Sequence, residues 1–353
     1  MQERILEYHG RKDAAMVLTK LTPIETRPLK LMSIDKPTIK GRTGLLLEIE
    51  ACGVCRSNLH LIEGDWEKHG APSHLPLVPG HEVVGRVKKA GDGVKRVKVG
   101  DRVGIQPLFR SCLQCDYCSV GRENLCENAE ITGETVQGGY AEYISAFEEF
   151  VTRIPANLDP EHAAPLFCPG ITAYKAVKVS EPAPGKTIGI FGIGGVGHLA
   201  IQIAKMHGAR VVASSRVKKH IDLSKKLGAD NVFVYEESQE LFLKNLKEQE
   251  DLLDSVIVFA PSDKVIETAI RSVKKGGTVV LGVRGNVFNF PTFEEKIVKG
   301  SVIGTRKDMA DLVGMASSSG LQVIIETHRL VEANKVLERL KRSQVEARAV
   351  LIP

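Results

Sequence analysis

Short apolar runs separated by Gly and Pro dominate the chain up to about residue 169. They include LLLEIEACGV, HEVVGRVKKAG, DRVGIQP and YAEYISAF. Runs of this length, bounded by turn-forming residues, are typical of β-strands. The pattern therefore predicts an all-β, barrel-like body for residues 1–169.

Between residues 170 and 304 the pattern changes, because apolar strands now alternate with amphipathic helices. The alternating segments are KTIGIFG, GVGHLAIQIAKMHGA, ARVVAS, VKKHIDLSKKLGA, NVFVY, DSVIVFA, DKVIETAIRSVKKGG and TVVLGV. Such alternation predicts a parallel sheet with helices on both faces. The last segment, 305–353, contains a predicted helix (LVEANKVLERLKRS) and strand (ARAVLIP) and is expected to rejoin the first body.

A glycine motif lies between the first strand and the first helix of this alternating region. Gly192, Gly194 and Gly197 form G-x-G-x-x-G, with Gly195 and Val196 inside the motif. The glycines allow a tight turn, a close backbone approach to a pyrophosphate and close packing of helix on strand. In this strand–helix context the motif predicts a dinucleotide-binding domain of the Rossmann type.

The end of the next strand indicates which dinucleotide is bound. An NAD site usually has Asp or Glu there to bind the ribose 2′-hydroxyl. This chain has Ser215, flanked by Ser214 and Arg216, with Lys219 close behind. Hydroxyls and a guanidinium favour a 2′-phosphate, so NADP(H) is the expected cofactor and NAD the alternative.

Composition limits the remaining classes of function. The chain has 353 residues and a net charge of +5, with 43% hydrophobic and 26% charged residues, as expected of a globular protein of about two domains. The N-terminal stretch MQERILEYHGRKDAAM has no apolar signal-peptide core, and no apolar run is long enough to span a membrane, so we expect a cytoplasmic protein.

Four of the seven cysteines, Cys112, Cys115, Cys118 and Cys126, have the spacing C-x2-C-x2-C-x7-C. Four thiolates from one loop close a tetrahedral shell around Zn²⁺ and leave no position for a substrate, which predicts a structural zinc lobe at about residues 110–128. Disulfides and a ferredoxin-type iron–sulfur cluster are alternatives, although the latter usually has Pro where this chain has Glu127. Acidic residues in the lobe argue against a non-enzymatic zinc module that binds nucleic acid.

Other motifs occur along nearly the whole chain: GVCRSNLH, EGDW, PGHEVVG, FCPGITAY, GIGGVGHLA and ARAVLIP. Together with the cysteine lobe they resemble, in order, the zinc-dependent medium-chain alcohol dehydrogenases, and most closely the cinnamyl-alcohol or propanol-preferring branch. The resemblance implies an α/β protein with a GroES-like β-rich catalytic domain (1–169 and 305–353) and a Rossmann domain (170–304). It also implies a homo-oligomer, with a tetramer favoured over a dimer.

The resemblance further implies roles for single residues. Cys55, His81 and Cys168 correspond to the catalytic zinc ligands, so two zinc ions per subunit are expected. The other implied roles are a proton relay through Ser57 and His60, an acidic residue behind the zinc at Glu82, and pyrophosphate contacts at Arg56 and Arg348. Trp66 and Phe109 correspond to substrate-pocket positions, Arg110 is a candidate anion contact, and Cys52 has no assigned role.

Asn58 departs from the family pattern, which has aspartate at this position. An amide oxygen can still accept the hydrogen bond from the zinc-bound histidine, but it brings no negative charge, so we expect the imidazole to be a poorer donor to the metal.

The expected activity is interconversion of an alcohol and an aldehyde with NADP(H), in the direction of an aldehyde or semialdehyde reductase. An NAD-dependent primary alcohol dehydrogenase is the alternative. A zinc-free quinone or enoyl reductase of the same fold is disfavoured, because such proteins generally lack both cysteine sets.

Overall fold

The computed structural model describes residues 12–235 and 238–353, so the expectation for the N-terminal stretch lies largely outside the described residues. The chain divides into two compact units. One contains the residues up to Cys168 together with Ile324–Pro353, and the other contains Pro169–Val323.

The strands and helices are numbered in chain order. The strands are β1 (Lys12–Leu18), β2 (Leu29–Asp35), β3 (Gly44–Gly53), β4 (Glu82–Ala90), β5 (Arg102–Ile105), β6 (Leu108–Arg110), β7 (Glu130–Ile131), β8 (Tyr143–Phe147), β9 (Val151–Arg153), β10 (Thr187–Phe191), β11 (Arg210–Ser215), β12 (Asn231–Val234), β13 (Leu253–Val258), β14 (Val273–Leu281), β15 (Ile297–Gly300), β16 (Ile325–Arg329) and β17 (Arg348–Ile352). The helices are α1 (Arg56–Glu63), α2 (Asp116–Ser119), α3 (Pro160–Ala163), α4 (Pro169–Val179), α5 (Gly197–Met206), α6 (Lys218–Lys226), α7 (Gln239–Glu250), α8 (Asp263–Ser272), α9 (Arg306–Ser319) and α10 (Ala333–Lys341).

The first unit is built on a sheet in the order β16-β17-β3-β4-β5-β9, with β8 also paired to β3. All of these pairs are antiparallel except β16 with β17. Strand β3 is central and nearly fully buried, which explains its long run of apolar residues. The predicted β-rich body is confirmed, and β17 joins it from the far end of the chain.

The second unit contains a parallel sheet in the order β12-β11-β10-β13-β14-β15. Counted from β10, this is the order 3-2-1-4-5-6 of dinucleotide-binding domains. Helices α5, α6 and α8 pack against its strands. The predicted α/β architecture is therefore confirmed.

The helix predicted in DKVIETAIRSVKKGG is shorter than expected. Helix α8 ends at Ser272, and Val273 adopts an extended conformation and begins β14. The buried face of the helix (Val265, Ile266, Ala269, Ile270) ends at this point, and two glycines with poor helix propensity follow at 276 and 277.

The second domain boundary also differs from the prediction. It was expected after residue 304 and lies after Val323, because α9 belongs to the dinucleotide-binding unit. The buried Asp308 carboxylate accepts hydrogen bonds from Lys175 at 3.2 Å and Lys178 at 2.7 Å, which ties α9 to α4. Burial alone would raise the pKa of Asp308, but bonds from Lys178 and Thr305 hold it at about 2. Because these ion-paired residues are distant in sequence, no local pattern in the chain predicts that α9 packs against α4.

Among the described residues, we find no helix with the length and apolar character needed to cross a membrane.

Asp13 is a buried carboxyl group in β1. Its Oδ1 accepts hydrogen bonds from the backbone N–H groups of Glu142 at 2.9 Å and Tyr143 at 3.3 Å. Its Oδ2 has no hydrogen-bond partner in the part of the chain that the structure describes. Burial raises the pKa of Asp13 from 3.8 to about 7, so the folded chain retains a proton that the unfolded chain releases.

This raised pKa predicts a loss of stability as the pH rises. The contribution of Asp13 is complete below about pH 4 and is lost as the pH approaches about 7. We expect a fall of about 1–2 kcal/mol in unfolding free energy between pH 5 and 8, after allowance for solvent screening. In Asp13→Asn this fall should be absent, since the amide oxygen still accepts both bonds and nothing ionises. Denaturant titrations at several pH values measure the unfolding free energy, and the exposed Asp222→Asn is the control. If the unfolding free energy of wild type and of Asp13→Asn changed with pH in parallel, the prediction would be contradicted.

Candidate functional site

The four clustered cysteines lie between β6 and β7: Cys112 and Cys115 precede the short helix α2, Cys118 lies on it, and Cys126 follows it. Their Sγ atoms lie within 4.8 Å of one another, with Cys112 Sγ 3.5 Å from Cys126 Sγ and 3.9 Å from Cys118 Sγ. A tetrahedral zinc with bonds of about 2.3 Å separates its sulfur ligands by about 3.8 Å, so the spacing fits a single ion. A cluster of several irons would spread the thiolates farther apart. None of the seven cysteines forms a disulfide in the structure, which favours a metal site over the disulfide alternative.

Backbone N–H groups favour the thiolate form in this lobe. The Cys115 N–H donates to Cys112 Sγ at 3.3 Å, and the Cys112 N–H donates to Cys126 Sγ at 3.5 Å. Hydrogen bonds from the backbone of Gln114 and Cys115 lower the pKa of Cys112 to about 6. Cys115 shifts the other way, because a backbone bond from Cys118 that lowers its pKa is outweighed by burial and its neighbouring thiols, which raise the pKa to about 11. Since metals bind thiolates, the folded loop is prepared for an ion.

The second centre assembles from three distant segments of the first unit. Cys55 precedes α1, His81 precedes β4 and Cys168 precedes α4. The Sγ atoms of Cys55 and Cys168 lie 3.6 Å apart, and one ligand atom each from Cys55, His81, Glu82 and Cys168 lies within 4.8 Å of the others. His81 Nε2 is buried and has no hydrogen-bond partner among the described residues, as expected of a nitrogen directed at a metal. This donor set fits a zinc with three protein ligands.

Glu82 and Arg348 form a buried ion pair beside this centre. The Arg348 guanidinium donates to Glu82 Oε1 and, at 2.9 Å, to the carbonyl oxygen of Val54. Burial raises the pKa of Glu82 to about 7, and the charge of Arg348 opposes the rise. Glu82 Oε2 has no hydrogen-bond partner within the described chain and remains available toward the ligand cluster.

The two thiols of the centre lie within hydrogen-bond distance, 3.6 Å between their Sγ atoms. A hydrogen bond from the Cys168 thiol lowers the pKa of Cys55, and the nearby charges of His81 and Arg348 act in the same direction. The same bond, together with burial, raises the pKa of Cys168. One sulfur is therefore ready to bind a cation, and the second becomes a ligand when it loses its proton.

Asn58 contacts this centre in a way that differs from the expectation. Its Oδ1 accepts hydrogen bonds from the Cys55 N–H at 3.2 Å and the Tyr140 hydroxyl at 3.1 Å, and its Nδ2 lies 3.3 Å from His81 Nδ1. The amide nitrogen faces the histidine, so the bond to the amide oxygen that the sequence allowed is not the one the structure shows. Sequence reasoning missed Tyr140, and also Glu134, whose carboxylate is coupled electrostatically to His81. No local motif marks either residue.

The expected relay residues lie on α1. Ser57 is partly buried, and its N–H donates to Cys55 Sγ at 3.4 Å. His60 Nδ1 lies 2.7 Å from Asp65 Oδ2, and its ring stacks on Trp66 with 5.8 Å between centroids. Sequence reasoning missed Asp65, although it directly precedes Trp66 in EGDW. Arg56 is exposed at the start of the helix.

Phe109 is buried in the first unit against Phe147. It lines a cavity of about 480 Å³ that is also lined by Lys36 and Tyr143, and Cys55, His81 and Cys168 are not among the lining residues. Arg110 lies over the Phe147 ring, 4.7 Å from its centroid. The structure therefore gives Phe109 and Arg110 a shared packing partner, Phe147, and a substrate-pocket role for Phe109 stays a prediction.

The glycine motif follows β10 in the second unit and leads into α5. Gly192 has a φ of +100°, and a Cβ there would lie 2.6 Å from the Ala260 nitrogen, so only glycine fits. A Cβ at Gly197 would overlap the Gly192 carbonyl, whereas Gly194 faces open space. No side chain caps the N-terminus of α5 at Val196, so its backbone N–H groups suit a phosphate.

At the end of β11 the four predicted cofactor residues differ in exposure. Ser214 is only 2% exposed, whereas Arg216 and Lys219 are exposed. The Ser215 hydroxyl accepts a hydrogen bond from the Val217 N–H at 3.2 Å. The strand thus ends in a hydroxyl and nearby cations, without a carboxylate.

Comparisons with known proteins agree with both units. The family described as alcohol dehydrogenase GroES-like domain matches residues 41–156, and the family described as zinc-binding dehydrogenase matches residues 195–318. An alcohol dehydrogenase from Geobacillus stearothermophilus is 42% identical over 330 residues, which are 92% of this chain and 96% of that protein.

Two solved structures are similar over almost their whole length. An acetophenone reductase from Geotrichum candidum in complex with NAD has a TM-score of 0.84 at 27% identity and covers 98% of this chain and 99% of its own. A protein described as a zinc-binding dehydrogenase from Sinorhizobium meliloti, bound to NADP, has a TM-score of 0.85 at 27% identity and covers 98% of this chain and 100% of its own. One of these structures contains NAD and the other contains NADP, so they do not decide which dinucleotide this chain binds.

The two metal centres predict how cysteine variants bind zinc. We expect the wild type to bind two zinc ions per chain and Cys115→Ser to bind one, because the shell of the lobe then lacks a thiolate. Cys52 is buried and lies in neither ligand set, so Cys52→Ser should still bind two. Elemental analysis of the purified chains measures the metal content, and two zinc ions in Cys115→Ser would contradict the assignment.

Proposed function

Because this chain belongs to the zinc-dependent medium-chain alcohol dehydrogenase family, we propose that it is an aldehyde reductase, converting an aldehyde, NADPH and a proton into an alcohol and NADP⁺. The observation that carries the proposal is the buried set of Cys55, His81 and Cys168, whose donor atoms meet in the folded chain. Membership of the family makes the chain an oxidoreductase with a small-molecule substrate. Three further statements are proposed. The enzyme works in the reductive direction, it prefers NADP(H), and its substrates resemble those of the cinnamyl-alcohol or propanol-preferring branch.

The cluster of Cys55, His81 and Cys168 is suited to hold a zinc ion. These three residues would hold it, the number of protein ligands found at catalytic zinc sites. The bound ion would supply a Lewis acid that polarises a carbonyl. Arg348 balances the charge of Glu82 and so lowers the free-energy cost of burying this carboxylate beside two thiolates.

Ser57 and His60 move the proton in this proposal. Reduction of an aldehyde requires a proton for the alcohol oxygen. The Ser57 hydroxyl can give its proton to that oxygen and take another from the His60 imidazole, so no free charge has to cross the apolar interior. Asp65 holds His60 through Nδ1, which leaves Nε2 to exchange protons. The His60 side chain is 40% exposed, so it can recover its proton from solvent.

The dinucleotide supplies the hydride when bound, and this chain's part is to position it. The glycine turn and the uncapped N-terminus of α5 suit the pyrophosphate. Ser215, Arg216 and Lys219 favour a 2′-phosphate over a free hydroxyl because they offer donors and positive charge where an NAD enzyme offers a carboxylate. Pyrophosphate contacts from Arg56 and Arg348 remain predictions, as do a homo-oligomer and a cytoplasmic location.

Removal of a catalytic ligand tests the reaction. Cys55→Ala should reduce kcat/KM for aldehyde reduction by about 10³-fold or more, since several kcal/mol of charge stabilisation are lost. NADPH binding, followed by cofactor fluorescence, should persist because the dinucleotide motif lies in the other unit. Cys52→Ser is the matched control and should retain activity. Full activity in Cys55→Ala would overturn the proposed reaction.

A substitution at the end of β11 tests the cofactor preference. In Ser215→Asp a carboxylate would repel the 2′-phosphate and accept bonds from the ribose hydroxyls of NADH. We expect the ratio of kcat/KM with NADPH to kcat/KM with NADH to fall by about 100-fold, from a repulsion of about 2–3 kcal/mol. Exposed Ser318→Asp adds the same charge on α9 and should leave the ratio unchanged. If wild type prefers NADH, or if the ratio does not move, the NADP(H) assignment fails.

A further inference from the structure

The carboxamide of Asn58 is 1% exposed and has a defined neighbour for each of its polar atoms. Its Oδ1 accepts bonds from the Cys55 N–H and the Tyr140 hydroxyl, and its Nδ2 lies 3.3 Å from His81 Nδ1. Two of these neighbours, Cys55 and His81, belong to the proposed catalytic metal centre.

The Cys55 N–H determines which way the amide faces. A backbone N–H can only donate, so the atom opposite it must be the amide oxygen. The Tyr140 hydroxyl can donate or accept and therefore permits either orientation. Rotating the amide by half a turn would place its NH2 group against the Cys55 N–H, and two buried donors would then face each other.

His81 consequently meets a donor at Nδ1. In the neutral ring Nδ1 must then act as the acceptor, which places the ring proton on Nε2. A histidine that binds a metal through Nε2 carries its proton on Nδ1. In that state the N–H groups of Asn58 and His81 would point at each other in a place where water cannot satisfy them, which is costly.

We propose that Asn58 is a positioning residue that weakens metal binding at the Cys55–His81–Cys168 centre, so that this centre exchanges its zinc more readily than the four-cysteine lobe. Two groups that can only donate lie on opposite sides of residue 58 when the metal is bound, the Cys55 N–H and the His81 Nδ1–H, and the Tyr140 hydroxyl can add a third donor. A carboxylate presents an oxygen to both sides, whereas a carboxamide presents an oxygen to one side and an NH2 group to the other.

Such a difference makes oxidoreductase activity depend on the supply of free zinc while the lobe keeps its own ion. The inference rests on the proposed function for the identity of the centre as catalytic. The hydrogen-bond argument itself requires only the contacts of Asn58.

Asn58→Asp tests the proposal through metal affinity. We expect this variant to bind zinc at the centre about 10- to 100-fold more tightly, the usual effect of a changed partner behind a metal-bound histidine. In a graded competition with a chelator, the wild type should fall from two zinc ions per chain to one at a concentration where Asn58→Asp keeps two. Exposed Asn289→Asp makes the same charge change in the other unit and should behave as wild type. Equal retention in wild type and Asn58→Asp overturns the proposal.

Two further measurements test whether the Cys55 N–H is what orients the Asn58 amide. Tyr140→Phe should leave the zinc affinity close to that of wild type, since the Cys55 N–H still orients the amide, and a gain equal to that of Asn58→Asp would overturn the argument. In the metal-free wild type, ¹⁵N spectra assigned with His81→Gln should show the His81 proton on Nε2. A proton on Nδ1 would also overturn it.

The outcomes also distinguish this inference from the proposed function. If no aldehyde is reduced but Asn58→Asp still retains the second zinc better, the reductase assignment fails and the affinity proposal stands. If both proteins reduce aldehydes and release zinc alike, the affinity proposal fails alone.

Discussion

The antiparallel pairing of β3 with β4 positions the metal centre, because the ladder ends with Gly53 opposite Glu82. This register brings Cys55, two residues after β3, close to His81, directly before β4. The strands approach so closely that a Cβ at residue 53 would overlap the Glu82 carboxylate. Strand β17 pairs with the same end of β3 and places Arg348 beside Glu82. The end of β3 therefore positions Cys55, His81 and the ion pair of Glu82 with Arg348.

The two cysteine sites differ in how much of the fold they require. The lobe from Cys112 to Cys126 is a local structure, and its own backbone N–H groups support its thiolates. The set of Cys55, His81 and Cys168 joins Cys55 to a residue 113 positions away. Closing so long a loop costs chain entropy, which the core of the first unit must offset. Metal binding proposed at this set is therefore linked to the stability of the β-rich body.

Buried charge limits what this centre can tolerate. Glu82 and Arg348 neutralise each other away from water, and removing either partner would leave the other charge unpaired. The neutral Asn58 adds no charge to this cluster, although its amide gives His81 a donor where a metal-bound ring needs an acceptor. The proposed weaker metal site follows from the number of donors and acceptors rather than from any change in the ligands.

The sequence determined the features that depend on neighbouring residues. Alternating apolar runs specified the strands and helices, the cysteine spacing specified the lobe, and the Gly192–Gly197 motif specified the turn before α5, because each signal lies within a few residues along the chain. Only the tertiary structure decided that α9 belongs to the dinucleotide-binding unit and that Phe109 packs against Phe147. It also decided that the Asn58 amide turns its nitrogen to His81. Each of these depends on partners far apart in sequence, and hydrogen-bond direction and burial are fixed only when the folded chain brings those partners together.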